Sequence, residues 1–184
     1  MAAAEKHYTP PTPEFDKPVK ILIVVAPYYK DIADNLVAGA KAAIKESGAT
    51  FDLVEVPGAL EVPSAIAIAE RTSNFDGFVA LGCVIRGETT HYDTVCNDSS
   101  RALSHMGLSG VCIGNGILTV ENRKQAEVRA DVNDQNKGAG AAIAALHLVA
   151  LSRKWGGQTK GVGFKPKSGE FLMADSSDSG SKTV

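Results

Sequence analysis

The chain has 184 residues, a formal net charge of −2 and 44 % hydrophobic residues, with 6 % aromatics. At about 150 residues per domain this is one domain, long enough to bury about 70 % of its unfolded surface. The near-neutral charge excludes a generally basic nucleic-acid binder, and the apolar content excludes wholesale disorder.

Residues 1–18 contain Pro10, Pro11, Pro13 and Pro18 and read as an extended arm, without the apolar stretch of a signal peptide. Val19–Ala26 is a short β-branched apolar run, suited to a strand buried on both faces. Residues 32–47 place Ile32, Leu36, Val37, Ala40 and Ile44 at helical spacing, and Gly48 sits where a helix-ending glycine belongs. Phe51–Val56 alternates like a strand, Pro57-Gly58 breaks it, and Pro63 suits the first turn of a helix reaching about Arg71. Phe78–Ile85 is a third strand, followed by a polar loop and a helix over about Tyr92–Met106. Val111–Leu118 is a fourth strand; Thr119 can cap a helix over about Glu121–Val128. An Ala-rich helix from Gly138 to Trp155 closes the core. Residues 158–184 are rich in Gly, Ser, Lys, Thr and Asp and read as a flexible tail, leaving residues 19–157 as the folded domain.

The order βαβαβαβαα predicts an α/β fold, a three-layer αβα sandwich around a four-stranded parallel sheet. No apolar run is long enough to span a membrane. Three cysteines (Cys83, Cys96, Cys112) without a C-x-x-C spacing argue against a disulfide scaffold or a metal cage and for a reducing cytoplasm.

Ligands of such sheets bind beyond the carboxyl ends of the strands. The ends to inspect are Ala26–Lys30, Pro57–Glu61, Ile85–His91 and Asn115–Thr119. The third carries Arg86-Gly-Glu-Thr-Thr-His-Tyr-Asp93, a loop opening a helix, where free N–H groups and the helix dipole can hold an anion. The same pattern also reads as a plain capped helix start. His91 lies within one turn of it, a side chain fit for proton transfer near neutral pH or simply for solvation. Arg129 and Lys137 flank a polar turn and suit phosphate or hydroxyl recognition, or are solvated loop charges. Tyr28 can stack on a flat ring. Gly58 permits close backbone approach, and Glu61 can accept from hydroxyls. Cys83 and Cys112 read as core packing, and a Cys96–His91 nucleophile pair has poor spacing on a helix.

Together these ends resemble the lumazine synthase family of riboflavin biosynthesis. The stretches that carry the resemblance are Val-Pro-Gly-Ala-Leu-Glu-Val-Pro (56–63), Leu-Gly-Cys-Val-Ile-Arg-Gly-Glu-Thr-Thr-His-Tyr-Asp (81–93), Gly-Ile-Leu-Thr-Val-Glu-Asn (116–122) and Asn-Lys-Gly (136–138). The resemblance implies a flavodoxin-like sheet, a homopentameric ring whose neighbours share each active site and, in some members, a sixty-subunit shell. It implies a transferase that condenses 5-amino-6-(D-ribitylamino)uracil with L-3,4-dihydroxy-2-butanone 4-phosphate, giving 6,7-dimethyl-8-ribityllumazine, phosphate and water. No metal or organic cofactor is implied, and no nucleic-acid or membrane partner.

By the same resemblance, Tyr28 stacks on the pyrimidine and Gly58, Ala59, Leu60 and Glu61 hold the ribityl chain. Val84 and Ile85 line the pyrimidine pocket. Arg86, Gly87, Glu88, Thr89 and Arg129 form a phosphate cradle, and His91 transfers protons. Asn115 and Lys137 come from the neighbouring subunit. Two positions depart from the family pattern: Gly140, where many relatives carry an acid, and Asn115, where several carry Phe. They leave a second reading open, a flavin- or lumazine-binding or shell-forming protein with low turnover.

Overall fold

The computed structural model describes Tyr8 and residues 10–156. The tail proposed at 158–184 and most of the arm before Pro10 lie outside the described residues. The elements run β1 (Lys20–Val25), α1 (Lys30–Glu46), β2 (Thr50–Glu55), α2 (Glu61–Thr72), β3 (Gly77–Ile85), α3 (His91–Leu108), β4 (Ile113–Val120), α4 (Arg123–Ala130) and α5 (Lys137–Gly156).

All strand pairs are parallel, in the order β2-β1-β3-β4. The chain winds outward from β1 to β2, then crosses back past β1 to β3 and β4. Right-handed crossovers in opposite directions place helices on opposite faces. Accordingly α1, α4 and α5 share one core with Ile21, Ile23 and Val25 of β1 and Val79 and Leu81 of β3. On the other face, Val62 and Ile66 of α2 and Leu103 of α3 pack on Leu22, Val24, Phe78 and Ala80. Alternate residues of each central strand feed alternate layers, so β1 has no polar face to offer and reads as a continuous apolar run. Each such Ile, Leu or Val, once fully buried, contributes about 1.5–3 kcal/mol by leaving water.

Local signals explain the ends of elements. Gly48 takes a φ of 75° after α1, and its N–H donates to Lys45 O at 3.0 Å. Asn136, at φ 43°, starts α5 by accepting from Ala139 N through Oδ1 at 3.3 Å. Two expectations shift. The strand expected over Val111–Leu118 runs instead from Ile113 to Val120, because Thr119 and Val120 stay in register opposite Val84 and Ile85. Thr119 therefore caps nothing. The cap of α4 is Asn122, whose side chain accepts from Gln125 N at 3.0 Å.

Beyond the core, Arg153 near the end of α5 donates to Lys17 O, Pro18 O and Asp76 Oδ1 and stacks over Phe15, holding the last part of the arm against the domain.

Candidate active site

Reversal of winding direction between β1 and β3 opens a crevice at their carboxyl ends, the switch point where doubly wound sheets take ligands. A cavity of about 520 Å³ lies there. β1 delivers Tyr28, and the turn after β2 delivers Gly58, Ala59, Leu60 and Glu61. β3 and its loop deliver Val84, Ile85, Gly87 and Thr89, and the first turn of α3 delivers His91. Three of the four strand ends thus converge.

Several features prepare this cavity. Tyr28 is 75 % exposed, its ring edge-on to Tyr29 at 5.1 Å, leaving a face free for a flat ligand. A Cβ on Gly58 would stand 2.8 Å from Glu61 Oε2, so this glycine lets the carboxylate fold back over the turn. Thr90, the residue before α3, makes no side-chain cap, and His91 N donates only weakly to Thr89 Oγ1 at 3.4 Å. The helix start therefore presents N–H groups that no side chain has saturated.

The cysteines carry no nucleophile. All three are free, and burial pushes the Cys83 thiol up to about 11. Burial also raises the Cys96 thiol. Tyr92 and Val95, which sequence reading passed over, line the cavity with His91. Val95 stands three residues after Tyr92 and four after His91, the helical spacing that puts it beside each, and this was the signal available.

The remaining expected residues fall elsewhere. Asn115, Arg129 and Lys137 line a second, more open groove of about 420 Å³, together with Gly140. Arg129 therefore does not join Gly87 and Thr89 within one chain. It leaves from the last turn of α4, its Nη1 donating to Gln125 O at 3.0 Å. Asn115 is not at a strand end. It pairs opposite Ala80 within β4, on the free sheet edge, where its Oδ1 accepts from Ile117 N at 3.0 Å. Glu88 is exposed and absent from the cavity wall. Arg86 is also absent from the wall: its guanidinium donates to Glu121 and Asp93.

The two hollows differ in charge. The first is lined by Glu61 and His91 but by no Lys or Arg; the second is lined by Arg129 and Lys137 but by no acid.

Fold and site define the class: a flavodoxin-like, doubly wound α/β protein with a small-molecule cavity at its switch point. Among the described residues no helix is long and apolar enough to cross a membrane. The family model for 6,7-dimethyl-8-ribityllumazine synthase matches residues 18–153. A protein of that name from Jannaschia sp. (strain CCS1) is 58 % identical over 165 residues, covering 90 % of this chain and 92 % of the relative. Others of that name, from Novosphingobium aromaticivorans and Bartonella henselae, are 54 % and 52 % identical, covering 74 % and 79 % of this chain and 98 % and 96 % of the relatives. The chain belongs to the 6,7-dimethyl-8-ribityllumazine synthase family, transferases of riboflavin biosynthesis.

Proposed function

We propose that this chain condenses 5-amino-6-(D-ribitylamino)uracil with L-3,4-dihydroxy-2-butanone 4-phosphate in a site completed between two copies. The observation that carries this reading is the separation of His91 and Glu61 from Arg129 and Lys137 into two hollows of opposite character. A neighbouring copy that sets its second hollow over the first brings the cations to the acid and histidine.

In the first hollow, Tyr28 stacks on the pyrimidine between Val84 and Ile85, and the Gly58–Glu61 turn holds the ribityl hydroxyls. Gly87, Thr89 and the start of α3 receive the phosphate, with Arg129 of the next copy opposite it. Lys137, with Asn115 beside it, faces the ribityl chain. The free amine of the uracil adds to the ketone and water leaves, forming an imine. His91 takes a carbon-bound proton as the C–O bond to phosphate breaks. The enol left behind takes a proton at its terminal carbon to become a methyl ketone, and the second amine condenses with it to close the ring with loss of another water. Holding both substrates together supplies most of the effect, since effective molarities reach ~10⁵ M or more. The cations oppose charge growing on the departing phosphate.

Residues 19–157 are the catalytic domain in this reading, with 1–18 and 158–184 as appended ends. Free thiols suit a reducing cytoplasm. A closed ring of five is the assembly the family resemblance favours, with a shell as its larger form. Mixing the two substrates and following lumazine fluorescence, on material sized by light scattering, tests both claims. An oligomer that makes no product overturns the chemistry, and a fully active monomer overturns the shared site.

A further inference from the structure

Arg86 lies where three elements meet. Its Nε donates to Glu121 Oε2 at 2.8 Å and its Nη1 to Asp93 Oδ1 at 3.2 Å. Its guanidinium carbon is 4.1 Å from the Tyr92 ring centroid. Glu121 directly follows β4, Asp93 belongs to the first turn of α3, and Tyr92 is a wall of the first cavity. Arg86 itself is not.

We propose that Arg86 is a positioning residue and not a phosphate ligand. With Glu121 and Asp93 it clamps the start of α3 to the end of β4, holding the Tyr92 wall and the neighbouring His91 in place. This inference rests on the catalytic reading above. Only a planar fork can serve two carboxylates at its edge and an aromatic ring on its face; lysine cannot. The backbone of the loop has its own anchor, Arg86 N donating to Val120 O at 2.9 Å. The loop N–H groups of Gly87 and Thr89 that would receive phosphate are thus held independently of the side chain. Both ion pairs are substantially solvent-exposed, at 40 % for Arg86 against 52 % and 58 % for its partners, so they add little to stability. Their effect is on geometry.

The test compares Arg86→Ala, Arg86→Lys, Glu121→Gln and the double variant Arg86→Lys/Glu121→Gln. Steady-state kinetics with both substrates are run beside calorimetric titration of inorganic phosphate. A clamp predicts that each single variant lowers kcat by about 10-fold and that the double variant is no worse than about 10-fold, because both break one unit. KM for the phosphorylated ketone and Kd for phosphate stay within about two-fold in every variant, since no anion ligand has gone. A ten-fold weaker phosphate Kd in Arg86→Ala overturns the proposal, as does wild-type kcat in Glu121→Gln. Should the Arg86 variants fail to fold, Glu121→Gln alone decides by the same criterion. Should the wild type make no product, the catalytic reading falls. The phosphate titration still judges Arg86: an unchanged Kd supports its exclusion from the anion site, and a ten-fold loss refutes it.

Discussion

Gly114 of β4 packs directly beneath Ala141 of α5: a Cβ on Gly114 would fall 1.8 Å from the Ala141 carbonyl oxygen. Helix and sheet therefore meet backbone to backbone. The contact seats the N-terminal half of α5, and with it Lys137 and Gly140 along the second groove. Gly138 repeats the device against α1, where its Cβ would fall 2.0 Å from Leu36 O.

Gly114→Ala should therefore force α5 off the sheet. Because the obstruction is backbone and not a side chain that can turn, we expect a loss of about 3 kcal/mol in unfolding free energy, read from denaturant melts. Gly140→Ala, with nothing within 4 Å of its Cβ, should be neutral or slightly stabilising for its helix. Equal stability of the two variants would contradict the packing described.

Arg129→Ala removes one of two cations from the second groove. A charge-assisted contact to phosphate is worth about 1.5–3 kcal/mol, so KM for the phosphorylated ketone should rise at least about 10-fold. KM for the pyrimidine should move by less than about two-fold. Parallel losses for both substrates would place Arg129 elsewhere than on the phosphate.

Sharing of the site has a sharper test. With the phosphorylated ketone held well below its KM, His91→Ala and Arg129→Ala chains should each be slow alone, yet they damage different hollows. Unfolded together in equal amounts and refolded, they should regain about a quarter of wild-type turnover, because about a quarter of random neighbour pairs unite two native halves. Recovery no greater than the sum of the two parents would show that each site lies within one chain.

Cys83 gives a pH dependence. Burial raises its thiol from 9.0 to about 11, so below pH ~9 the thiol is neutral in both states and burial carries no ionic penalty. As pH rises from about 9 towards 11, the unfolded chain releases this proton while the folded one retains it, and stability falls. The thermal midpoint of Cys83→Ala, measured over the same range, should fall less steeply than that of the wild type. Identical slopes would mean that Cys83 is not the group responsible.

Sequence alone was enough for the order of elements and for the layers they form. Apolar runs such as Val19–Ala26 and the 3.6-residue spacing of Ile32, Leu36, Ala40 and Ile44 reflect burial, and burial is a local pattern written along the chain. The convergence of Tyr28, Glu61, Thr89 and His91 was legible for the same reason: carboxyl ends of parallel strands necessarily lie on one side of the sheet. The end of β4 was misjudged by two residues because register, which pairs Val120 with Ile85, is a property of two strands and not of one.

Only the tertiary structure decided the rest. It moved Arg129 away from Gly87 and Thr89, because α4 leaves from the far edge strand while the loop before α3 lies at the switch point. It brought the Arg86 guanidinium to Glu121 and Asp93, residues 35 and 7 positions away. A motif names which chemistry is present in the chain. Where a long side chain points depends on which carboxylate the fold brings within reach, and that distance is not written in sequence order.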